Sequence, residues 1–338
     1  MRLFAVLFSI LLLSSCDSSN KQSSLPGYSG SFGEVVIVVS NANWNGVVGE
    51  ALRDVYKEAQ YGLPKDEPYF DVINVQKANF TSVFETFRNI VVVNIDSEWR
   101  EPNYQLKKNE WAKDQVVVQL NAANTKELIA VLRENKTNLQ DIFNNKELDR
   151  LIKRNKKFGK QGAVKRLKEN MGLTMILQKD ADLAEVDSAH AWIRIERERP
   201  KGGFMHQISQ GVLISAYEYN AREQFSDSVL LAQRDELLKQ YVKGTHPDAY
   251  MATDYKYVPP QTRAIDYRGK YAKEARGLWK MTVEYMGGPM YSLAFLDESN
   301  NRIILASGYV FSPEFDKREF IRETEAMIKS IRISKEEK

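Results

Sequence analysis

Cysteine occurs once in these 338 residues, at position 16, and histidine only three times. A single thiol closes no intramolecular disulfide, so the fold must rest on packing alone. His190, His206 and His246 lie far apart, with no HExxH and no carboxylate at i+4, which argues against a zinc site. Phosphate-binding and nucleophile motifs are missing as well. "GKQGAVK" lacks Walker spacing, "QISQG" around Ser209 lacks the first glycine of a nucleophile elbow, and no G-x-G-x-x-G occurs. Charge is nearly balanced, 48 Lys and Arg against 45 Asp and Glu, so nucleic acid is not indicated as a partner. After the first 16 residues no apolar run approaches the length of about 20 that a membrane-spanning helix needs. No cofactor and no metal is expected.

What is present begins at the N-terminus. Met1-Arg2 supplies one positive charge, and residues 3–13 are apolar except for Ser9, too short to span a bilayer but suited to a secretory h-region. Residues 1–15 therefore read as a signal peptide. The run ends in Leu13-Ser14-Ser15-Cys16, which resembles the bacterial lipobox: the thiol receives a diacylglycerol and Cys16 becomes the first residue of the mature chain. Acyl chains bind at about 0.8 kcal/mol per buried CH₂, so two or three hold where one would not. The membrane is thus an expected partner, through lipid of the palmitate type on Cys16. Residues 16–33, rich in Ser and Gly, read as a flexible tether.

The periodicity beyond the tether predicts two units, an α/β domain at 34–158 and an α+β domain at 173–333. A basic helical connector at 159–172 joins them, and a charged tail follows at 334–338. "EVVIVVS", "YFDVINV", "NIVVVNID" and "DQVVVQL" are apolar runs of strand length, as in strands buried on both faces. Helices between them place apolar residues at three- and four-residue steps, and Asn124 with Glu127 forms a capping box. The first unit therefore reads as an α/β sandwich. From Lys146 to Lys168 ten cations face two acids, Glu147 and Asp149, a pattern of a solvated helical linker or of a contact with anionic lipid. The second unit alternates in the β manner, with Gly287-Gly288-Pro289 and "ESNN" as turns. A last helix, with Asp316 and Glu319 as its capping box, closes that antiparallel sheet through Phe320, Ile321, Thr324, Met327, Ile328 and Ile331.

Two segments carry a binding signal. Ser40, Asn41, Asn43, Trp44 and Asn45 join the end of a buried strand to a helix start, where α/β folds take anions or sugars. Asn45 also serves as a plain N-cap, and Trp44 as a cover for the core. Tyrosine is concentrated in the second unit: 11 of 16 lie between Tyr217 and Tyr309. Tyr255, Tyr257, Trp279, Tyr285 and Tyr291 make a candidate aromatic face for stacking a glycan or peptide, or else a cross-strand ladder. No catalytic constellation emerges.

"GEVVIVV", "LRDVY", "GLPKDEPYFDV", "RNIVVVNID", "RGLWKMTVEYMGGPMYS" and "NRIILASGYVFSPEFDKREFIRETEAMI" together resemble a domain-of-unknown-function family of Bacteroidetes lipoproteins. The resemblance covers about residues 33–332. It implies a lipoprotein of the cell envelope and brings no activity, cofactor or catalytic residue. One acid in "CDSSNK" points to the outer membrane's periplasmic face. The expected function is a non-catalytic binding or structural module for an envelope protein or glycan. The alternative is an envelope hydrolase using carboxylates or Ser209.

Overall fold

A computed structural model describes residues 25–334. The signal peptide, Cys16, the tether to residue 24 and residues 335–338 lie outside the described residues.

Two sheets organise the chain. The first has the order β2-β1-β3-β5-β4, formed by β1 (Glu34–Val38), β2 (Asp71–Val75), β3 (Asn89–Ile95), β4 (Asn103–Lys108) and β5 (Val116–Ala122). Its pairs are parallel except β4–β5. Val35, Ile37 and Val39 point to one face, under α2 (Val47–Tyr56), α4 (Thr125–Glu134) and α5 (Lys136–Phe158), while Val36 and Val38 point to the other. That second face is covered by Phe80, Phe84, Phe87 and Trp111, with α3 (Ser82–Glu85) contributing Phe84. Burial on both sides is why these strands are continuous apolar runs rather than alternating ones. β4 escapes that pattern because it is an edge strand, half-buried to exposed and ending in lysines, a common guard against edge pairing. Asn124 caps α4 as expected, accepting from Glu127 N at 3.1 Å, but the box is not closed on the cap residue itself: the Glu127 carboxylate accepts from the amide of Ala123, one residue earlier.

The second sheet is antiparallel and has eight strands: β7 (Asp182–Val186), β8 (His190–Lys201), β9 (Phe204–Glu218), β10 (Met251–Asp254), β11 (Gln261–Tyr267), β12 (Lys270–Met281), β13 (Gly287–Asp297) and β14 (Arg302–Phe311). Its order is β10-β12-β13-β14-β9-β8-β7, with β11 also beside β12. On one face lies α7 (Asp227–Tyr241); on the other lie α6 (Gln161–Met171) and α8 (Arg318–Lys329). A short ladder of β6 (Leu173–Thr174) with β15 (Arg332–Ile333) ties the start of this unit to its end.

Four expectations are corrected. Gly287-Gly288-Pro289 is not a turn but the start of β13, paired through Trp279↔Gly288 and Leu278↔Pro289. A side chain at Gly288 would sit 2.1 Å from Val310 O, so glycine serves close approach there, and the chain reverses just before it. Asn45 does not cap a following helix: Asn41–Asn45 is itself a short helix, α1, capped by Ser40, and α2 starts after Gly46. The Asp316–Glu319 capping box does not form, because a carboxylate from the first unit takes its place. The cations early in the basic run do not simply face water. Lys146 and Lys153 both reach Asp114 Oδ1, at 2.6 and 2.7 Å, and Arg150 is buried.

Candidate functional site

α8 has two buried faces. Phe320, Ile321, Met327 and Ile328 pack on the second sheet, each side chain contributing about 1.5–3 kcal/mol by leaving water. Thr324, on the same side, bonds with Gln210 of β9. The opposite side carries Arg318, Arg322 and Glu325, all buried, together with Ala326, which packs on Leu148 and Leu151 of α5. The helix is therefore a shared wall between the two units.

Its first turn is capped across the seam. The carboxylate of Glu67 accepts from Lys317 N at 2.8 and 2.9 Å and from Arg318 N at 2.7 Å. An anion at a helix N-terminus satisfies orphan amides and meets the positive end of the dipole. Arg318 answers with its side chain, donating to Asp71 Oδ2 at 2.6 Å and to Pro68 O at 2.8 Å. Arg322 donates only from Nη2, to Tyr69 O, and its guanidinium lies 5.2 Å from the Phe70 ring. Burial, with Arg318 close by, pushes Arg322 down to about 10.

Deeper in the seam, Glu147 receives Arg150 at 2.8 Å, Arg88 at 2.9 Å and Asn89 at 2.7 Å. Tyr28 covers Arg88 and Arg150, with its ring 4.8 and 4.9 Å from their guanidinium carbons. Further along, Arg276 and Lys329 meet Glu325 at 2.7 and 2.9 Å, and Arg263 bridges Glu274 and Asp141. Burial alone would raise Glu325, but Arg276 and Lys329 outweigh it and hold the carboxyl down to about 2. Burial likewise dominates at Tyr291, whose phenol is pushed well above its usual range while donating to Glu274. Of these ions, Asp141, Arg263, Glu274 and Arg276 line a cleft of about 270 Å³ with Gln60, Tyr61 and Asn144. Each charge named there is spent on a neighbour of opposite sign. Arg263–Asp141 crosses between the units, while the Glu147 and Glu325 groups each lie within one unit, and the cluster does not present a poised acid, base or nucleophile.

A larger recess, about 850 Å³, opens on the second unit away from the seam. Tyr219, at the end of β9, Phe225, just before α7, and Tyr271, at the start of β12, line it. Phe225 meets Tyr271 edge to face at 5.6 Å and Tyr219 at 6.3 Å. Arg222, Glu223, Ser226 and Glu298 supply a rim of both charges and a hydroxyl. Tyr271 is 54% exposed, so its ring is available to a ligand.

The residues singled out from sequence fall elsewhere. Ser40 Oγ accepts from Asn43 N at 3.3 Å, closing the α1 turn, and Asn41, Asn43 and Asn45 stand on that turn. Trp44 packs on the core of the first unit, and Arg53 lies 4.9 Å over its ring and donates to its carbonyl. The five aromatics do not share a face. Trp279 is buried on the α7 side and Tyr291 on the α8 side, because positions three apart on a strand and its neighbour's register send them to opposite surfaces. Tyr255 and Tyr257 follow one end of β10, whereas the fully exposed Tyr285 lies beyond the other. Ser209 Oγ hydrogen-bonds Glu196 at 2.9 Å on an exposed stretch of sheet, with no histidine beside it.

Sequence reasoning missed Glu67, Arg322, Glu325, Tyr219, Phe225 and Tyr271. A signal existed for the helix: Arg318, Arg322, Glu325 and Lys329 recur at helical spacing on a face that would otherwise be solvent. The recess had none, since it depends on which strand ends the sheet brings together.

Residues 160–330 match the family model described as Domain of unknown function (DUF4837), and residues 29–156 match a second, Domain of unknown function (DUF8532). No curated protein matches. Among solved structures the chain is similar to the Ran-binding protein Mog1p of Saccharomyces cerevisiae, at 9% identity over 48% of this chain and 90% of that one, with a TM-score of 0.32. A mutant of protein Mog1 gives 10% identity, 48% and 91% coverage, and a TM-score of 0.31. Scores this low carry no argument about function.

Proposed function

We propose, for a chain that belongs to the family described as Domain of unknown function (DUF4837), a non-catalytic role: a lipid-anchored module of the bacterial cell envelope that holds a glycan. The observation that carries the glycan is the recess of Tyr219, Phe225 and Tyr271. Rings offer flat apolar faces to the C–H side of a sugar, and a rim of guanidinium, carboxylate and hydroxyl groups matches its hydroxyls. Its volume of about 850 Å³ lies within the range of about 300–1,000 Å³ usual for ligand sites.

The anchor is the lipidated Cys16, supported by the lipobox-like Leu13-Ser14-Ser15-Cys16 and the Ser-rich segment after it. The quoted likeness to lipoproteins supports a Bacteroidetes source, and the single acid after the cysteine favours the outer membrane's periplasmic face. In this reading 34–158 and 173–333 are two domains that the α8 seam holds as one body, so the recess moves with the first unit. Among the described residues no helix is long and apolar enough to cross a membrane, and no His, Cys, Asp and Glu group is arranged to hold a metal.

A photo-crosslinking residue placed at position 271 in the native envelope tests the site. A carbohydrate adduct from position 271, with none from position 43, is expected. Adducts from neither, or a protein adduct alone, would contradict the glycan reading. For the anchor, Cys16→Ala should abolish palmitate labelling; undiminished labelling would refute it.

A further inference from the structure

We infer that a separate recess, between the C-terminal end of α5, α6 and the β6–β15 ladder, binds a phosphate-bearing anion. It has a volume of about 390 Å³, and Lys156, Lys160, Lys168 and Arg332 stand around it. No aspartate or glutamate lines it. Lys160 is paired with Asp182 outside the lining, whereas Lys156, Lys168 and Arg332 make no ion pair among the described residues. The contrast lies within one helix and its successor. Earlier on α5, Lys146 and Lys153 are answered by Asp114, Arg150 by Glu147, and Arg154 by Glu323. On the outer side of α6, Lys165 is answered by Glu169. Around the recess, Lys156, Lys168 and Arg332 share one concavity with no carboxylate in its lining.

The wall explains why that excess would act on a ligand. Met175 and Leu177 are buried, and Ser330 spends its hydroxyl on the carbonyl of Met327 and the amide of Ile176. Low-dielectric walls focus the field of surrounding cations into a concavity. Arg332 adds the planar fork that suits phosphate oxygens, and the lysines add mobile point charges. A phosphate group can come from a phospholipid headgroup, which the proposed anchor would bring close, or from a soluble phosphate; the recess recognises the shared group.

Hydrogen exchange of the full chain in phosphate-free detergent tests this, with two additions made separately: inorganic phosphate, or phosphatidylglycerol. Slower exchange across residues 156–177 with at least one addition is expected. Protection by phosphatidylglycerol alone assigns the lipid, protection by inorganic phosphate alone assigns the soluble source, and protection by both assigns the shared phosphate group. The triple variant Lys156→Glu, Lys168→Glu, Arg332→Glu should lose the effect, while Lys126→Glu with Lys280→Glu should keep it. Unchanged exchange with both additions, or protection that survives the triple variant, would overturn the inference. Exchange in the two sheets reports whether each variant is folded.

Discussion

Glu67 Oε2 lies 2.7 Å from the backbone nitrogen of Arg318, 251 residues further along the chain. A residue of the first unit thus supplies the N-cap of the last helix in the second, and one carboxylate stabilises the helix and the junction together.

Replacing that carboxylate should be costly. Glu67→Ala leaves two buried amides without an acceptor, a loss of about 1–3 kcal/mol. Glu67→Gln keeps one acceptor and should lose less. Denaturant unfolding measures both, and equal stability of Glu67→Ala and wild type would show that the cap contributes nothing.

Acid should destabilise each unit from within, since Asp114 pairs inside the first and Glu325 inside the second. Glu325 is held down to about 2, and so is Asp114, through Lys146 and Lys153 against the opposing effect of burial. Lowered carboxyl values stabilise the fold above the unfolded values, 4.5 and 3.8, and that stability is lost as pH falls toward 2. Glu325→Gln should therefore flatten the fall of stability between about pH 4.5 and 2; a slope as steep as wild type would contradict this.

Gly62 occupies φ +84°, and a side chain there would lie 3.0 Å from the nitrogen of Gly277 in β12. Beside it, the Tyr61 hydroxyl donates to Pro259 O. Gly62→Ala should lower stability by about 1–3 kcal/mol through backbone strain and a spread seam. Thermal unfolding checks it, and an unchanged midpoint would mean the contact is soft.

Local rules carried the sequence reading a long way in the first unit. Val35 to Val39 announce a strand buried on both faces, and Asn124 with Glu127 announces a helix start, because each signal sits within a few residues. Glu67 gave no such signal; its role needs Lys317 and Arg318 to arrive from the far end of the chain. Charged positions on an amphipathic helix ordinarily face water, yet on α8 Arg322 and Glu325 are as buried as Ile328. The tyrosines failed for a different reason. Composition counts rings but not faces, and register decides that Trp279 and Tyr291 are core while Tyr271 reaches the surface. Of the aromatics chosen, none lines the recess now proposed as the ligand site.

That recess is tested most directly by a glycan array probed with the full chain, with Tyr271→Ala and with Tyr285→Ala. Tyr285 is fully exposed and Tyr271 forms the wall, so only the latter loss should matter. The account predicts that wild type and Tyr285→Ala retain the same glycans and that Tyr271→Ala binds them about tenfold more weakly, the effect of losing about 1.4 kcal/mol of stacking. Retention of no glycan by the wild-type chain, or equal retention by Tyr271→Ala, would contradict it.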